Sequence, residues 1–442
     1  MHSALARRTA PSLLACAIAM TCVASADAQS IAQGVLEHEI VVGSHVDLTG
    51  PLAPWGKAVS NGLQLAIAEA NRAGGVNGRT IRLIVKDDAY DPAQAASAVR
   101  QLVTQDRVFA ILSPLGTQTV TASFDEALSR GVLYLFPLTA SAEAHSPLAP
   151  LKFALTPTHE MEVQEGLRRI LSARGPLKVG VIAPNDAFGR EVGRGVVNEL
   201  QRRGLALGAM LPFSRGQETL QSIATRLKNE RIDVVVLGIE PEETLALLRV
   251  AQAMRWRPLF LCTSTCYAPE FATLGAADAE GLLAVGQVSI PYADDPKLRA
   301  WVKRYEARFS AVPTVQALTA YRNARLFLSV LRQAGRMPTQ ASVANILETR
   351  GSWTDPELGG LPIEFTPKDH LGGHSGLLAQ VKGGRWVPLA DNLVSPLPLQ
   401  GSIGQGETVV VTSREVVINI LAGVITNAVV YGWNVLLPLT AA

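Results

Sequence analysis

Lys178-Val179-Gly180-Val181-Ile182-Ala183 opens the stretch that decides the fold. A helical run over 188–202, the strand Asp233-Val234-Val235-Val236-Leu237-Gly238, a second helical run over 242–254 and Pro258-Leu259-Phe260-Leu261-Cys262 complete it. These strands are short, continuous apolar runs rather than alternating ones. An alternating strand buries one face, whereas one that is apolar throughout buries both and needs helices above and below it. Apolar strands separated by roughly 10 to 15 helical residues therefore read as βαβ units of a parallel sheet.

The same alternation precedes this stretch. Ile40-Val41-Val42-Gly43 reads as a strand, and Val59, Leu63, Ala66, Ile67 and Ala70 then recur at helical spacing. Gly74-Gly75 ends that helix, 82–86 resumes as a strand, Pro92 opens the next helix, and 108–112 and 133–136 are strands again. The pattern restarts after about Thr156. Two such successions, each too short to be the whole chain, predict an α/β protein of two doubly wound, Rossmann-like lobes. A chain of 442 residues with 48% apolar content has length for two cores and too much apolar content for disorder. Forty Lys and Arg against 38 Asp and Glu leave a net charge of +2, which gives no support to binding by phosphate neutralisation.

Both ends differ from this body. Arg7 and Arg8 precede the short apolar run 13–23, and Ala26-Asp27-Ala28 supplies the small-x-small pattern of signal peptidase, so 1–28 reads as a signal peptide cleaved after Ala28. Cys16 and Cys22 leave with it, and neither has the context of a lipoprotein cysteine. Two cysteines remain, Cys262 and Cys266, which either close a small disulfide loop in an oxidising compartment or stand as two thiols near a strand end. At the other end, Pro396, Pro398, Gly401 and Gly404 mark a linker. The 24 residues 416–439 carry no charge, long enough to span a bilayer, yet Asn419, Asn427 and Asn434 interrupt them and no Lys or Arg follows. A membrane anchor, an amphipathic surface segment and an extension without function all stay open.

Catalytic motifs are absent. There is no G-x-x-x-x-G-K-[ST], no H-E-x-x-H and no G-x-S-x-G. Gly189, Gly193 and Gly195 imitate a dinucleotide loop without its third glycine. Asp87-Asp88 and Asp294-Asp295 are adjacent pairs, whose members point to opposite faces of an extended chain and do not converge on one atom. His370 and His374 are separated by Gly372-Gly373, which argues against a helix presenting both to a metal. An exported two-lobed α/β chain without a catalytic constellation points to ligand binding in the crevice at the carboxyl ends of its strands, with no cofactor.

Thr49-Gly50-Pro51-Leu52-Ala53-Pro54-Trp55-Gly56 resembles the first ligand loop of periplasmic branched-chain amino-acid-binding proteins. Gly74-Gly75-Val76-Asn77-Gly78-Arg79, Asp87-Asp88-Ala89-Tyr90-Asp91-Pro92, Ser113-Pro114-Leu115-Gly116-Thr117, Asn185-Asp186-Ala187-Phe188-Gly189 and Ala279-Glu280-Gly281-Leu282-Leu283 follow in that family's order. The resemblance covers about 37–389 and implies the type I periplasmic binding protein fold, two lobes joined by a three-strand hinge that close on a ligand. It places one lobe over 37–154 plus 286–366, the other over 157–284 plus 370–390, and leaves 391–442 as linker and apolar tail. It also implies an ABC permease as partner. The other functional class using this fold is the ligand-sensing ectodomain of a signalling system.

The resemblance implies site residues together with departures. Family members hold the ligand carboxylate with hydroxyl and backbone N–H groups on two loops of the first lobe. The leading hydroxyl position falls here on Gly116, leaving Thr117 to do that work. The family threonine of the second loop falls on Ala140, between Thr139 and Ser141. Trp55 belongs to the first ligand loop, and Phe188 sits where a tyrosine often stacks over the ligand. The acidic partner of the ligand ammonium falls near Ser264, in a stretch without a carboxylate. Glu240 is the nearest substitute unless it only begins the helix at Pro241. Without Glu240 in the cleft, the ligand expected is an aliphatic or aromatic acid that lacks an amino group.

Overall fold

The computed structural model describes residues 32–389 apart from 215–218, 276, 287–294 and 375, with the backbone of three strands at 408–409, 416–421 and 424–429. The signal segment 1–28, Asp294, the stretch 391–407 and residues 430–439 lie outside the described residues.

The first succession runs β1 (Glu39–Val46), α1 (Ala53–Arg72), β2 (Thr80–Asp87), α2 (Pro92–Thr104), β3 (Ala110–Leu112), α3 (Thr117–Leu128), β4 (Leu133–Leu135) and β5 (Lys152–Phe153). Its strands form one parallel sheet in the order β2-β1-β3-β4-β5. The apolar runs do what two-sided burial requires. Ile40, Val42 and Val46 of β1 pack into one cluster with α1, whereas Val41 between them packs into another with Val99 and Leu102 of α2.

The chain then passes to a second sheet through α4 (His159–Arg174), β6 (Val179–Ala183), α5 (Ala187–Arg202), β7 (Ala209–Pro212), α6 (Leu220–Asn229), β8 (Val234–Leu237), α7 (Pro241–Ala253), β9 (Leu259–Cys262), α8 (Pro269–Gly275) and β10 (Leu283–Gly286). Val235 and Leu237 of β8 face one core, Val234 and Val236 the other. Burying each such side chain contributes about 1.5–3 kcal/mol, so this stretch ties both helical layers to one sheet.

The chain returns to the first sheet through α9 (Pro296–Phe309), α10 (Val315–Gln333), α11 (Gln340–Thr349) and the hairpin of β11 (Trp353–Asp355) with β12 (Gly359–Ile363). Trp301, Tyr305, Tyr321 and Phe327 of this return share a core with β1 and α1. Gly62 of α1 faces the backbone of α10 so closely that an added Cβ would stand 2.2 Å from the carbonyl oxygen of Ala317. A third passage leads to β13 (Leu377–Lys382) and β14 (Arg385–Pro388), which extend the second sheet antiparallel, in the order β14-β13-β10-β9-β8-β6-β7.

One open reading is resolved and another is narrowed. Cys262 and Cys266 form a disulfide with Cα atoms 6.1 Å apart. In the tail, Val416–Leu421 pairs antiparallel with Val424–Val429, which corrects the reading of 416–439 as a spanning helix over the paired part. Among the described residues no helix is long and apolar enough to cross a membrane.

Candidate functional site

The loops at the carboxyl ends of β1, β3 and β4 form one wall of a cleft, and each is braced from behind. The buried Asp47 carboxylate accepts the N–H groups of Thr49 at 3.1 Å, Leu52 at 2.6 Å and Gly50. This folds the loop that presents Pro51, Leu52 and Trp55 to the cleft. The adjacent acids of the next loop diverge. Asp87 faces outward and accepts the Leu48 N–H and the Thr49 hydroxyl. Burial raises its pKa, but those hydrogen bonds outweigh burial and hold it below the ordinary carboxylate range. Asp88 points inward, accepts the Tyr90 N–H at 2.9 Å and meets Nδ1 of His45 at 2.8 Å.

Behind that pair, Nε2 of His45 lies 2.9 Å from the Tyr134 hydroxyl and 3.1 Å from Oγ of Ser123. Ser123, His45 and Asp88 imitate a nucleophile–base–orienter triad that the chain order hides. All are fully buried and do not line the cleft, and Oγ of Ser123 also donates to the Val120 carbonyl. A nucleophile must reach a substrate; this set holds a loop. What it holds is Tyr90, at a left-handed φ of 57°, with its ring against Gly116. A Cβ on Gly116 would stand 2.7 Å from the Tyr90 ring, and its φ of 103° suits glycine. A serine at that position would press on the Tyr90 ring and on Oγ1 of Thr119, also 2.7 Å from the added Cβ, which gives the departure at Gly116 a physical reason.

Ser113 and Phe136 end β3 and β4 in left-handed conformations, φ 51° and 57°. Asn323 of α10 ties both turns together, its amide donating to Oγ of Ser113 at 3.1 Å and to the Phe136 carbonyl at 3.2 Å. The strands thus stop abruptly and release Gly116–Thr117 and Thr139–Ser141 into the cleft. Thr117 and Thr139 join their hydroxyls at 2.9 Å, and Oγ1 of Thr139 also accepts the Ser141 N–H. Thr117 opens α3, whose first N–H groups have no intrahelical partner and carry the positive end of the helix dipole. The Ala140 carbonyl is committed to the His159 N–H.

The opposite wall comes from the second sheet. Asp186 caps α5, and Phe188 meets His159 edge-on with ring centroids 4.6 Å apart. Glu240 occupies the N-cap position of α7, and its side chain makes no cap hydrogen bond there. Ser264 offers its N–H to the buried Glu162 at 3.1 Å. Between the walls lies a cavity of 1320 Å³ that Trp55, Gly116, Thr117, Thr139, Ala140, Ser141, Phe188, Glu240 and Ser264 all line. Among the described residues, five carboxylates line it as well, from Glu143, Asp186, Glu240, Glu242 and Glu243, and no Lys or Arg does. Burial, with the charges of Glu240 and Asp186 next, pushes the Tyr90 phenol up to about 12, which places those acids in electrostatic reach of the first wall.

Besides the His159 N–H to the Ala140 carbonyl, contacts between the walls gather on Glu191 of α5. Glu191 accepts the Ala142 N–H at 3.0 Å and also takes the Ser141 hydroxyl at 3.5 Å. His370 lies apart from the cleft, held by Glu348 and two backbone carbonyls, and His374 pairs with Asp369. Among the described residues no cluster of three or more metal-ligating side chains occurs. Sequence reasoning passed over Tyr90 and His159 as cleft residues. Tyr90 stood inside a motif already singled out, and His159 directly follows the first passage between the sheets.

The sequence matches, over residues 39–385, the family model described as periplasmic binding protein. The chain is 24% identical to the leucine-specific-binding protein of Salmonella typhimurium over 291 residues, 65% of this chain and 78% of that protein. Its fold superposes on a branched-chain amino acid ABC transporter structure from Thermus thermophilus with bound valine at a TM-score of 0.72, with 18% identity, over 82% of this chain and 97% of that one. A fatty acid ABC transporter substrate-binding protein from Thermomonospora curvata superposes at 0.71, with 22% identity, over 84% and 96%.

Proposed function

The chain belongs to the periplasmic binding protein family, and we propose that it is the exported solute receptor of an ABC importer, taking an amino acid of branched-chain type and delivering it to the permease. The observation that carries the ligand class is the opposition of the two walls. One offers the paired hydroxyls of Thr117 and Thr139 with Ser141 and a helix start, a setting that stabilises a carboxylate without a counter-charge. The other contributes the carboxylates of Glu240 and Asp186 to the cleft lining, a setting for an ammonium. This favours an amino acid over the des-amino acid that the missing carboxylate at Ser264 implied.

In this reading the lobes that close on the ligand are 37–154 with 286–366 and 157–284 with 370–390, and 1–28 directs export to the periplasm. The two separate sheets support that division. Membrane contact through 416–439 forms no part of the reading.

Calorimetric titration with leucine and valine, and with their 2-keto acids, tests the proposal. The amino acids should bind and the keto acids should not. Glu240→Gln should weaken amino-acid binding roughly 10- to 150-fold, the equivalent of a lost charge-assisted hydrogen bond. Keto-acid binding unaffected by Glu240→Gln would overturn the ammonium site, and no binding by either class would overturn the receptor's ligand class.

A further inference from the structure

The register of β9 against its neighbours sets two loops of the second wall side by side. Cys262, the last residue of β9, pairs with Leu237 of β8 and with Ala284 of β10. Ser264 stands two residues past Cys262, and Glu240 three past Leu237. Ser264 and Thr265 line the cleft, as Glu240 does. Cys266 then turns back and closes the disulfide over Thr263, Ser264 and Thr265.

Within this loop the backbone makes one short 3₁₀ turn over Ser264–Cys266. The Cys266 N–H donates to the Thr263 carbonyl at 3.2 Å, and the Tyr267 N–H to the Ser264 carbonyl at 3.0 Å. Such bonds have poorer geometry than those of an α-helix. The flanks are firmer. The sheet fixes Cys262, and the Tyr267 ring lies against Gly286 at the end of β10, 5.5 Å from the Trp386 ring. The disulfide ties the cleft-facing residues to those flanks. It also touches the neighbouring loop. Sγ of Cys266 lies 3.8 Å from the hydroxyl of the buried Thr244, whose N–H donates to the Glu240 carbonyl. The cysteines are only four positions apart. Cross-linking so short a loop adds little to global stability, because that gain grows with loop length. What it restricts is local conformation, and groups ordered beforehand bind a ligand without an ordering cost at the moment of binding.

We propose that the Cys262–Cys266 disulfide is a positioning element of the solute site, and that solute affinity depends on its redox state. This role rests on the solute-receptor reading above. Reduction by a dithiol breaks the S–S bond and leaves each cysteine with one hydrogen as a thiol. The dithiol gives up two electrons and two protons and closes into its own disulfide. The released loop no longer holds Ser264 and Thr265 in one arrangement, and Thr244 at the start of α7 loses a fixed neighbour. Coupling of this kind is reciprocal. A solute that binds the oxidised form more tightly holds the bond oxidised by the same factor.

The experiment equilibrates the full chain in mixtures of reduced and oxidised dithiothreitol, with and without saturating leucine, and counts thiols by alkylation and mass. Leucine should shift the equilibrium toward the disulfide about 5- to 100-fold. A disulfide that served stability alone would show no such shift. Calorimetry should find the same factor as a loss of leucine affinity when Cys262→Ser and Cys266→Ser are combined, at a temperature where circular dichroism shows both proteins folded. An equilibrium unmoved by bound leucine, or equal affinity in the two proteins, would overturn the proposal. If the double variant does not fold, the wild-type equilibrium decides alone. If the oxidised wild type binds neither leucine nor valine, the amino-acid reading fails, and amide hydrogen exchange without solute decides the positioning role. Faster exchange on reduction at both 263–267 and 239–244 would support it, and faster exchange at only one of them or at neither would overturn it.

Discussion

The two walls of the cleft are built on different principles. Behind the wall of the first sheet stands a fully buried network, Asp88–His45–Ser123–Tyr134, that fixes the turn carrying Tyr90. Its edge presents hydroxyl groups and a helix start, with a single carboxylate, Glu143, beside them among the described residues. The wall of the second sheet has separate carboxylates behind it, Glu162 under Ser264 and Glu191 reaching across to Ala142, and shows carboxylates at its edge. A ligand with a positive and a negative end needs this asymmetry. A carboxylate is served by fixed dipoles that cost no buried counter-charge, and an ammonium by an anion. The comparison teaches that rigidity sits where recognition depends on orientation, and charge where it depends on sign.

The largest effect expected from breaking the comparison is in the brace. Asp88→Ala removes the partner of His45 Nδ1 and the acceptor of the Tyr90 N–H, both inside a fully buried network. Two orphaned buried groups at about 1–3 kcal/mol each should lower stability by roughly 2–5 kcal/mol in urea unfolding. A loss below about 1 kcal/mol would mean that the network is not what holds that wall.

The next effect tests why Gly116 departs from the family pattern. Restoring the hydroxyl with Gly116→Ser puts a Cβ against the Tyr90 ring at a φ of 103°, and should cost about 1–3 kcal/mol of stability. In the Tyr90→Ala background the clash with the ring should disappear while that with Oγ1 of Thr119, also 2.7 Å from the added Cβ, remains, so the two substitutions should be partly non-additive. Additive costs would show that the glycine does not answer to Tyr90.

The sequence made the second sheet legible because its strands are apolar on both faces, and Val234–Leu237 does divide its side chains between two cores. The cleft was legible for a related reason, since parallel strands end on one side and the loops there face one crevice. The brace was not legible. Residues 45, 88, 123 and 134 belong to four elements and meet only in space, and no spacing announces them. The place of Tyr90 depends on a left-handed turn and on the missing Cβ of Gly116, neither of which a hydrophobic pattern records. In the tail, length without charge suggested a helix. The Val and Ile content of 416–421 and 424–429 carried the better signal, since β-branched residues favour strands.

The smallest effect sharpens the comparison at the contact between the walls. Burial raises the Glu191 carboxyl above its ordinary 4.5, against the lowering influence of the Ala142 N–H and the charge of His159. A carboxyl with a raised folded pKa binds its proton more tightly in the native state than in the unfolded chain. The stability it contributes is therefore complete below the unfolded value and is lost as pH rises through the folded one. Glu191→Gln keeps an oxygen to accept the Ala142 N–H and removes the titration. The variant should equal the wild type in Tm below pH 4.5 and exceed it progressively toward neutrality. Parallel pH profiles for the two proteins would show that Glu191 is solvated in solution and that the walls do not meet through it. A variant less stable than the wild type at neutral pH would show instead that the second wall uses this charge to hold the first.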